Sequence, residues 1–457
     1  MRFSPPATVH FVGISGAGMS AIAKVLLERG FTISGSDLKK SRASLLLEAM
    51  GARVHVGHDP ALVGGVDAVV VSSAIPTANV EVAAARTAGI EIMTRGDALA
   101  ELVNGSPSLV VAGTHGKTTT TSMVVSVLRS AGMDPTYLVG GGLNDSGTNA
   151  RSGSGLTVAE SDESDGSFLL LRPSVAVITN VDADHLDHWG SLEEIRRGFE
   201  RFLDALVPDG TAVVPAGDTG LRAYCRTKGI RTVTFGDAGD VSAGGAILHG
   251  DRSQFMLRVP GDEAEIDLPI PGAYNVDNAL GAAAGCLVVG VAVEDIARGL
   301  SAFRGVERRF QLRGCARGVM VVDDYAHNPS KVKAVLSAAR LGSKDGRWRQ
   351  VVAVFQPHRY SRTRAFQQDF GCAFADADRV VITDVYGAGE EPVPGVTGKL
   401  VADAVCARLP GRPVAYLQHR SELLDYLEQV TRSGDLLLTL GAGDITTVGD
   451  EFLARLA

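Results

Sequence analysis

Ser108-Leu109-Val110-Val111-Ala112-Gly113-Thr114-His115-Gly116-Lys117-Thr118-Thr119 passes from an apolar run through a short glycine turn into a stretch of helical character. The aliphatic residues before the turn predict a buried strand, and a helix is expected over Lys117–Ala131. Backbone N–H groups at such a turn, helped by the helix N-terminus, can surround phosphate oxygens. A lysine there neutralises transferring phosphate, and the hydroxyl after it suits Mg²⁺. The full pattern GxxxxGK[ST] would place a glycine at 111, where this chain has Val111, so the match is partial. The plain alternative is an ordinary strand-to-helix turn with an exposed lysine.

The same grammar extends in both directions. Val9–Gly13 precedes the glycine-rich GISGAGMS, and Leu436–Leu440 precedes GAGD. Further strands are expected near 9–13, 31–35, 67–72, 319–323, 350–355, 379–384 and 435–440. Helices are expected at Met19–Arg29 and near Leu192–Leu206, where Leu192, Ile195, Phe199, Phe202 and Leu206 form one stripe. Strands alternating with amphipathic stretches predict α/β layers with mostly parallel sheets. The stretch 103–108 reads as a linker. Residues 237–266 fit neither period, and no solenoid-type repeat is present.

With 457 residues the chain is long enough for two to four domains, at roughly 100–200 residues each. Its 44 Lys+Arg against 52 Asp+Glu give a net charge of −8, with 45% hydrophobic and 21% charged residues. That balance excludes a disordered, collagenous or coiled-coil chain and argues against a general nucleic-acid binder. Five cysteines, at 225, 286, 315, 372 and 406, form no CxxC motif and read as reduced thiols. The first residues lack a signal-peptide core, and Asn278–Val293 is too short and too rich in Gly and Ala to span a membrane. A cytoplasmic chain without membrane insertion is expected.

Four more segments carry chemistry. Gly16-x-Gly18-x-x-Ala21, with Asp37 closing the next strand, fits a dinucleotide fingerprint and leaves NAD and another nucleoside diphosphate both open. Glu160-Ser161-Asp162-Glu163-Ser164-Asp165 follows an apolar run; carboxylates there suit a hard cation such as Mg²⁺, although most of them fit a solvated loop equally well. Thr179-Asn180-Val181-Asp182-Ala183-Asp184-His185-Leu186-Asp187-His188 can be read as a metal site, zinc included, or as a plain polar loop. Asp323-Asp324-Tyr325-Ala326-His327-Asn328-Pro329 and Gln356-Pro357-His358-Arg359-Tyr360-Ser361-Arg362 also follow apolar runs. Two arginines three apart suit a carboxylate or phosphate, or a surface ion-pair cluster.

Taken in order, GISGAGMSAIA, SSAI at 72–75, AGTHGKTTTT, AESDESDGSF, TNVDADHLDHW, GAYNVDNAL, FRGVERRF, DDYAHNP and QPHRYSRT resemble the Mur ligases over essentially the whole chain. The resemblance implies an α/β chain of three domains. A Rossmann-like N-terminal domain for a UDP-sugar would span 1–104, a central P-loop ATPase-like domain 105–311, and a Rossmann-like C-terminal domain for an amino acid 312–457. The activity implied is that of the branch joining L-alanine to the carboxylate of UDP-N-acetylmuramate at the expense of ATP. That is the first amino-acid addition in peptidoglycan precursor synthesis, and so a step in cell-wall biogenesis.

Carried over by position, Lys117 would contact the β/γ-phosphates within an ATP loop of Gly113, Thr114, His115, Gly116, Lys117, Thr118 and Thr119. Thr118, Glu160 and His185 would hold Mg²⁺. Asn275 and Asn278 would lie on the adenine side, and Arg309 and Asp324 would hold ATP from neighbouring sheets. Gly16, Ala17, Gly18 and Met19 would face the UDP pyrophosphate, with Asp37, Ser72, Ser73 and Ala74 near ribose and uracil. Tyr325, His327, Arg359 and Arg362 would form the alanine pocket. The catalytic set implied is Lys117, Glu160, His185, Arg309 and His327. Several sister ligases carry a carbamylated lysine on the helix after the DH motif; this chain aligns Phe199 there. A related ligase that attaches a tripeptide to the same sugar nucleotide is the nearer rival. An NAD-dependent oxidoreductase is the alternative from another class, and it leaves Gly116-Lys117-Thr118 without a role.

Overall fold

The computed structural model describes residues 4–184 and 186–457, with the backbone alone for Leu186 and Asp187. Strands form at every apolar run read from the sequence, and they assemble into four sheets. The first holds β1 (Thr8–Val12), β2 (Thr32–Asp37), β3 (Arg53–Val56), β4 (Ala68–Val71) and β5 (Glu91–Thr94), in the order β3-β2-β1-β4-β5 with every pairing parallel. The strands expected near 9–13, 31–35 and 67–72 are β1, β2 and β4, and that expectation omits β3 and β5. Both are four-residue edge strands carrying charge, so neither shows an apolar run.

The second sheet contains β6 (Ser108–Ala112), β7 (Thr136–Leu138), β8 (Ala150–Arg151), β9 (Thr157–Glu160), β10 (Val175–Ile178), β11 (Thr211–Pro215) and β12 (Arg231–Phe235). Their order is β12-β11-β10-β6-β9-β7-β8, with β7 and β8 antiparallel and the other neighbours parallel. The segment without a clear period is a small three-stranded sheet of β13 (Ser242–Leu248), β14 (Ser253–Val259) and β15 (Asp262–Leu268). The fourth sheet holds β16 (Gln311–Ala316), β17 (Val319–Asp324), β18 (Val351–Phe355), β19 (Arg379–Ile382), β20 (Val414–Tyr416) and β21 (Leu436–Leu440). Its order is β16-β17-β21-β18-β19-β20, parallel except for β16.

Central strands are buried on both faces, as parallel sheets flanked by helices require. Val110, Val177 and Val213 are fully buried in the second sheet, and Val321, Val354 and Leu438 in the fourth. The helix Leu192–Asp204 buries Ile195, Phe199, Phe202 and Leu203, while Leu192 at its first turn is exposed, contrary to the expected stripe.

The chain divides into two units. One holds the residues up to Gly245 with Phe255–Ile266 and Asp277–Arg304; the other holds Ala246–Gln254, Asp267–Val276 and Gly305–Ala457. The first two sheets belong to the first unit and the six-stranded sheet to the second. Among the described residues no helix is long and apolar enough to cross a membrane.

Candidate active site

In parallel sheets, ligands gather outside the carboxyl ends of the strands, where neighbouring connections leave in opposite directions. In the second sheet β6 pairs with both β10 and β9, so the loops after these three strands meet at one edge. The loop after β6 is Gly113–Gly116, and Gly116 caps the helix Lys117–Ser130 with φ +79°. Val111, the position that breaks the longer motif, is a buried strand residue paired with Glu160, so the turn here is simply shorter. Two close approaches require glycine. A Cβ at Gly113 (φ +134°) would stand 2.1 Å from Thr179 Oγ1, and one at Gly116 would stand 2.1 Å from Asn278 Oδ1.

The loop after β10 clamps this turn. Thr114 N–H donates to the Asn180 carbonyl at 3.1 Å, His115 N–H to Asn180 Oδ1 at 2.9 Å, and Thr179 Oγ1 to the His115 carbonyl at 2.5 Å. Thr179 and Asn180 were read only as part of a possible metal loop; their structural role is to set the turn. His185 of that segment lies outside the described residues. His188 packs edge-on against Trp189, with ring centroids 5.0 Å apart. Among the described residues no group of three or more His, Cys, Asp or Glu is placed to hold a metal ion.

The loop after β9 brings carboxylates to the same edge. Glu160 accepts from Thr118 Oγ1 at 2.8 Å and from Gly140 N–H at 2.6 Å. Thr118 and Glu160 thus present oxygen donors together beside the turn, the donor type Mg²⁺ prefers. Lys117 Nζ donates to the Gly113 carbonyl at 2.7 Å and lies 2.6 Å from Glu163 Oε2. Burial alone would lower the Lys117 ammonium, but the carboxylate of Glu163, supported by Asp162 and Glu160, outweighs it and holds the ammonium above its ordinary range. Glu163 is buried, so the solvated-loop reading fails for it, whereas Asp165 is exposed. Arg95 draws Asp162 and Asp165 to 3.5 and 3.0 Å.

In the first sheet, Gly16 precedes the helix Ala17–Glu28, leaving the N–H groups of Ala17, Gly18 and Met19 at a helix N-terminus. Asp37 accepts from Ser15 N–H at 2.9 Å and Leu38 N–H at 2.8 Å, so in this structure its carboxylate braces the loop. Ser72, Ser73 and Ala74 follow β4, the neighbour of β1, and Ser73 and Ala74 are exposed. The three expected UDP-sugar segments therefore share one edge of one sheet.

The second unit collects the remaining residues at the corresponding edge of the fourth sheet. Asp324 ends β17, is buried, and accepts from Phe310 and Ala326 N–H, each at 2.8 Å. Burial pushes its carboxyl up to about 6, against the pull of Arg309. The guanidinium carbons of Arg308 and Arg309 stand 4.9 and 5.3 Å from the Tyr325 ring centroid. His327 Nδ1 faces the Tyr325 carbonyl at 2.8 Å, which makes that nitrogen the donor and leaves Nε2 an acceptor in the neutral ring. After β18, Arg359 adopts φ +69° at the cap of the helix Tyr360–Ala365, its N–H held by the Tyr386 carbonyl at 2.8 Å. Arg362 Nη1 donates to His358 Nδ1 at 3.1 Å. The His358 ring stacks on Tyr386 at 5.7 Å, and burial followed by Arg362 and Arg359 lowers it to about 4. Tyr325, His327, Arg359 and Arg362 thus occupy neighbouring loops, and His358 and Tyr386 join them without having been singled out. A ring following a strand in QPHRYSRT was the available signal for His358; Tyr386 had none.

Asn275 and Asn278 lie in the first turns of the helix Ala273–Val288. Asn278 Oδ1 accepts from Thr120 Oγ1 at 3.3 Å, beside the Gly113–Gly116 turn, while Asn275 Nδ2 donates to the Pro271 carbonyl at 2.7 Å in the other unit.

Three family models match the chain: the Mur ligase family catalytic domain over residues 8–106, the Mur ligase middle domain over 111–286, and the Mur ligase glutamate ligase domain over 308–443. The UDP-N-acetylmuramate–L-alanine ligase of Kineococcus radiotolerans is 48% identical, the match covering 98% of this chain and 96% of that protein. The ligase of the same name from Geobacter sp. strain M21 is 45% identical over 98% and 97%. Among solved structures, the UDP-N-acetylmuramate-alanine ligase of Thermotoga maritima superposes with TM-score 0.82 at 30% identity, covering 98% of both chains. A murein peptide ligase from Psychrobacter arcticus gives 0.72 at 25%, with 98% of each chain covered.

Proposed function

The chain belongs to the Mur ligase family, and from that membership we propose that it joins L-alanine to the carboxylate of UDP-N-acetylmuramate, with ATP as the energy source. The substrates are those in the names of its relatives. The observation in this chain that carries the chemistry is the meeting of Lys117, Thr118 and Glu160 at the edge where β6, β9 and β10 end.

A carboxylate resists an amine because its negative charge repels the nucleophile and oxide is a poor leaving group. Transfer of the γ-phosphoryl group of ATP to the carboxylate gives an acyl phosphate and ADP. The free amine of L-alanine then adds to the carbonyl carbon, and phosphate leaves from the tetrahedral intermediate. Lys117 neutralises the β/γ-phosphates, and the turn N–H groups at the helix N-terminus orient them. Thr118 and Glu160, with His185 outside the described residues, are the groups that would hold Mg²⁺. When bound, Mg²⁺ supplies charge stabilisation to the transferring phosphoryl group.

Gly16, Ala17, Gly18 and Met19 receive the UDP pyrophosphate in this reading, while Asp37, Ser72, Ser73 and Ala74 serve ribose and uracil. Asn275, Asn278, Arg309 and Asp324 serve ATP. Arg359 and Arg362 take the alanine carboxylate beside Tyr325 and His327, and His327 takes a proton from the amine in the role of base. The domain boundaries proposed are 104/105 and 311/312, and the compartment is the cytoplasm. The test is phosphate release from ATP with UDP-N-acetylmuramate across a panel of amino acids. The reading requires release that depends on all three substrates and is strongest with L-alanine. No substrate-dependent release, with reduction of NAD instead, or selectivity for a tripeptide, would overturn it.

A further inference from the structure

The ion pair between Lys117 and Glu163 has no counterpart in the chemistry just described. Glu163 is a buried carboxylate placed against the very ammonium that must meet phosphate. Its backbone is fixed: the Glu163 carbonyl accepts from Trp189 Nε1 at 2.9 Å and from Gly166 N–H at 3.2 Å. The pair therefore joins the first residue of the helix after the turn to the anchored loop that follows β9.

Resting on the nucleotide reading above, we infer that Glu163 makes this loop select the metal-complexed nucleotide over the metal-free one. Lys117 is the cation of the turn, and Glu163 already balances it at 2.6 Å. Glu160 adds a second carboxylate beside Thr118. Asp162 is drawn to Arg95 at 3.5 Å, so that arginine does not offset Glu160 or Glu163. His115, the other titratable group on the turn, faces Asp182 at 3.6 Å. Among the described residues the surroundings of the turn are thus more negative than positive before any phosphate enters. A metal-free nucleotide would add negative charge to this site and compete with Glu163 for one ammonium. A divalent cation arriving with the nucleotide reverses the balance, and Lys117 can then serve both partners.

The experiment is calorimetric titration of the full chain with ADP, and separately with ATP, in EDTA and in excess MgCl₂. Neither sugar nucleotide nor amino acid is present, so no turnover is needed. Wild type should bind far more tightly with Mg²⁺. Glu163→Gln should bind the metal-free nucleotides about tenfold or more tightly than wild type, because removing a unit charge within a few ångströms of phosphate changes the interaction on that scale even at high effective dielectric. Its affinity in MgCl₂ should change much less, so the ratio between the two conditions shrinks. Glu163→Asp keeps a carboxylate and should keep most of the discrimination, while Asp165→Asn, on an exposed carboxylate, should leave the ratio at the wild-type value. Glu163→Ala removes the same charge and serves if Glu163→Gln does not fold. An unchanged ratio, or weaker metal-free binding in the neutral variants, overturns the inference. Wild type that binds neither nucleotide in either condition overturns the nucleotide reading itself.

Discussion

Replacing Gly116 with alanine puts the geometry of the phosphate turn under direct strain. Gly116 has φ +79°, and its added Cβ would stand 2.1 Å from Asn278 Oδ1. Left-handed backbone costs an L-residue about 1–2 kcal/mol. The overlap cannot be relieved without moving the buried Asn278 amide, whose Oδ1 accepts from Thr120 Oγ1. Losing that bond costs about 0.5–1.5 kcal/mol, and more if the hydroxyl is left unsatisfied. The sum is about 1.5–3.5 kcal/mol. At about 2 °C per kcal/mol for a unit of this size, the melting transition of the first unit should fall by about 3–7 °C. Differential scanning calorimetry resolves that shift, and titration with ADP and Mg²⁺ should show a parallel loss of affinity, since the turn N–H groups are displaced. A melting temperature within a degree of wild type, together with unchanged ADP affinity, would refute the reasoning. The turn would then have to accommodate a Cβ without moving Asn278.

Three further outcomes follow from the site. Lys117→Ala should abolish ligation while leaving UDP-sugar binding largely intact, because the Gly16–Met19 turn belongs to a different sheet; calorimetric binding and phosphate release on the same preparation check both halves. Activity should be the same in bicarbonate-free and bicarbonate-supplemented buffer at matched pH and salt, because Phe199 is fully buried against Phe168 at the position where sister ligases carry a carbamylated lysine; a rise with bicarbonate would point to another lysine. Arg362→Ala should raise the KM for L-alanine tens-fold, since removing the partner of a carboxylate costs about 2–5 kcal/mol, with far smaller changes for ATP; an effect confined to ATP would remove the main support for an amino-acid site in the fourth sheet.

What could be read before folding divides along physical lines. Buried central strands such as Leu109–Ala112 and Val351–Phe355 announce themselves as uninterrupted aliphatic runs, because both faces are covered. Edge strands such as Arg53–Val56 have no such constraint and were missed. The meander over 242–268 was equally silent: β13 carries Gly244 and Gly245, and β15 alternates acidic with apolar residues over one short stretch. Candidate residues in local motifs, Lys117, Thr118 and Glu160 among them, could be named because each motif is contiguous with its strand in sequence. Partners contributed from a distance were not. The clamp of Thr179 and Asn180 on His115, the burial of Glu163 against Lys117, and the stacking of Tyr386 on His358 depend on which strands become neighbours. Residue type alone cannot state that.

The central claim is that the sugar-nucleotide carboxylate is activated by phosphoryl transfer. The direct measurement uses UDP-N-acetylmuramate labelled with oxygen-18 in that carboxylate, incubated with ATP, Mg²⁺ and L-alanine, followed by mass spectrometry of the released phosphate. An acyl phosphate requires one labelled carboxylate oxygen to leave with inorganic phosphate as the amide forms. Label appearing in AMP, or amide formed with wholly unlabelled phosphate, would contradict the account.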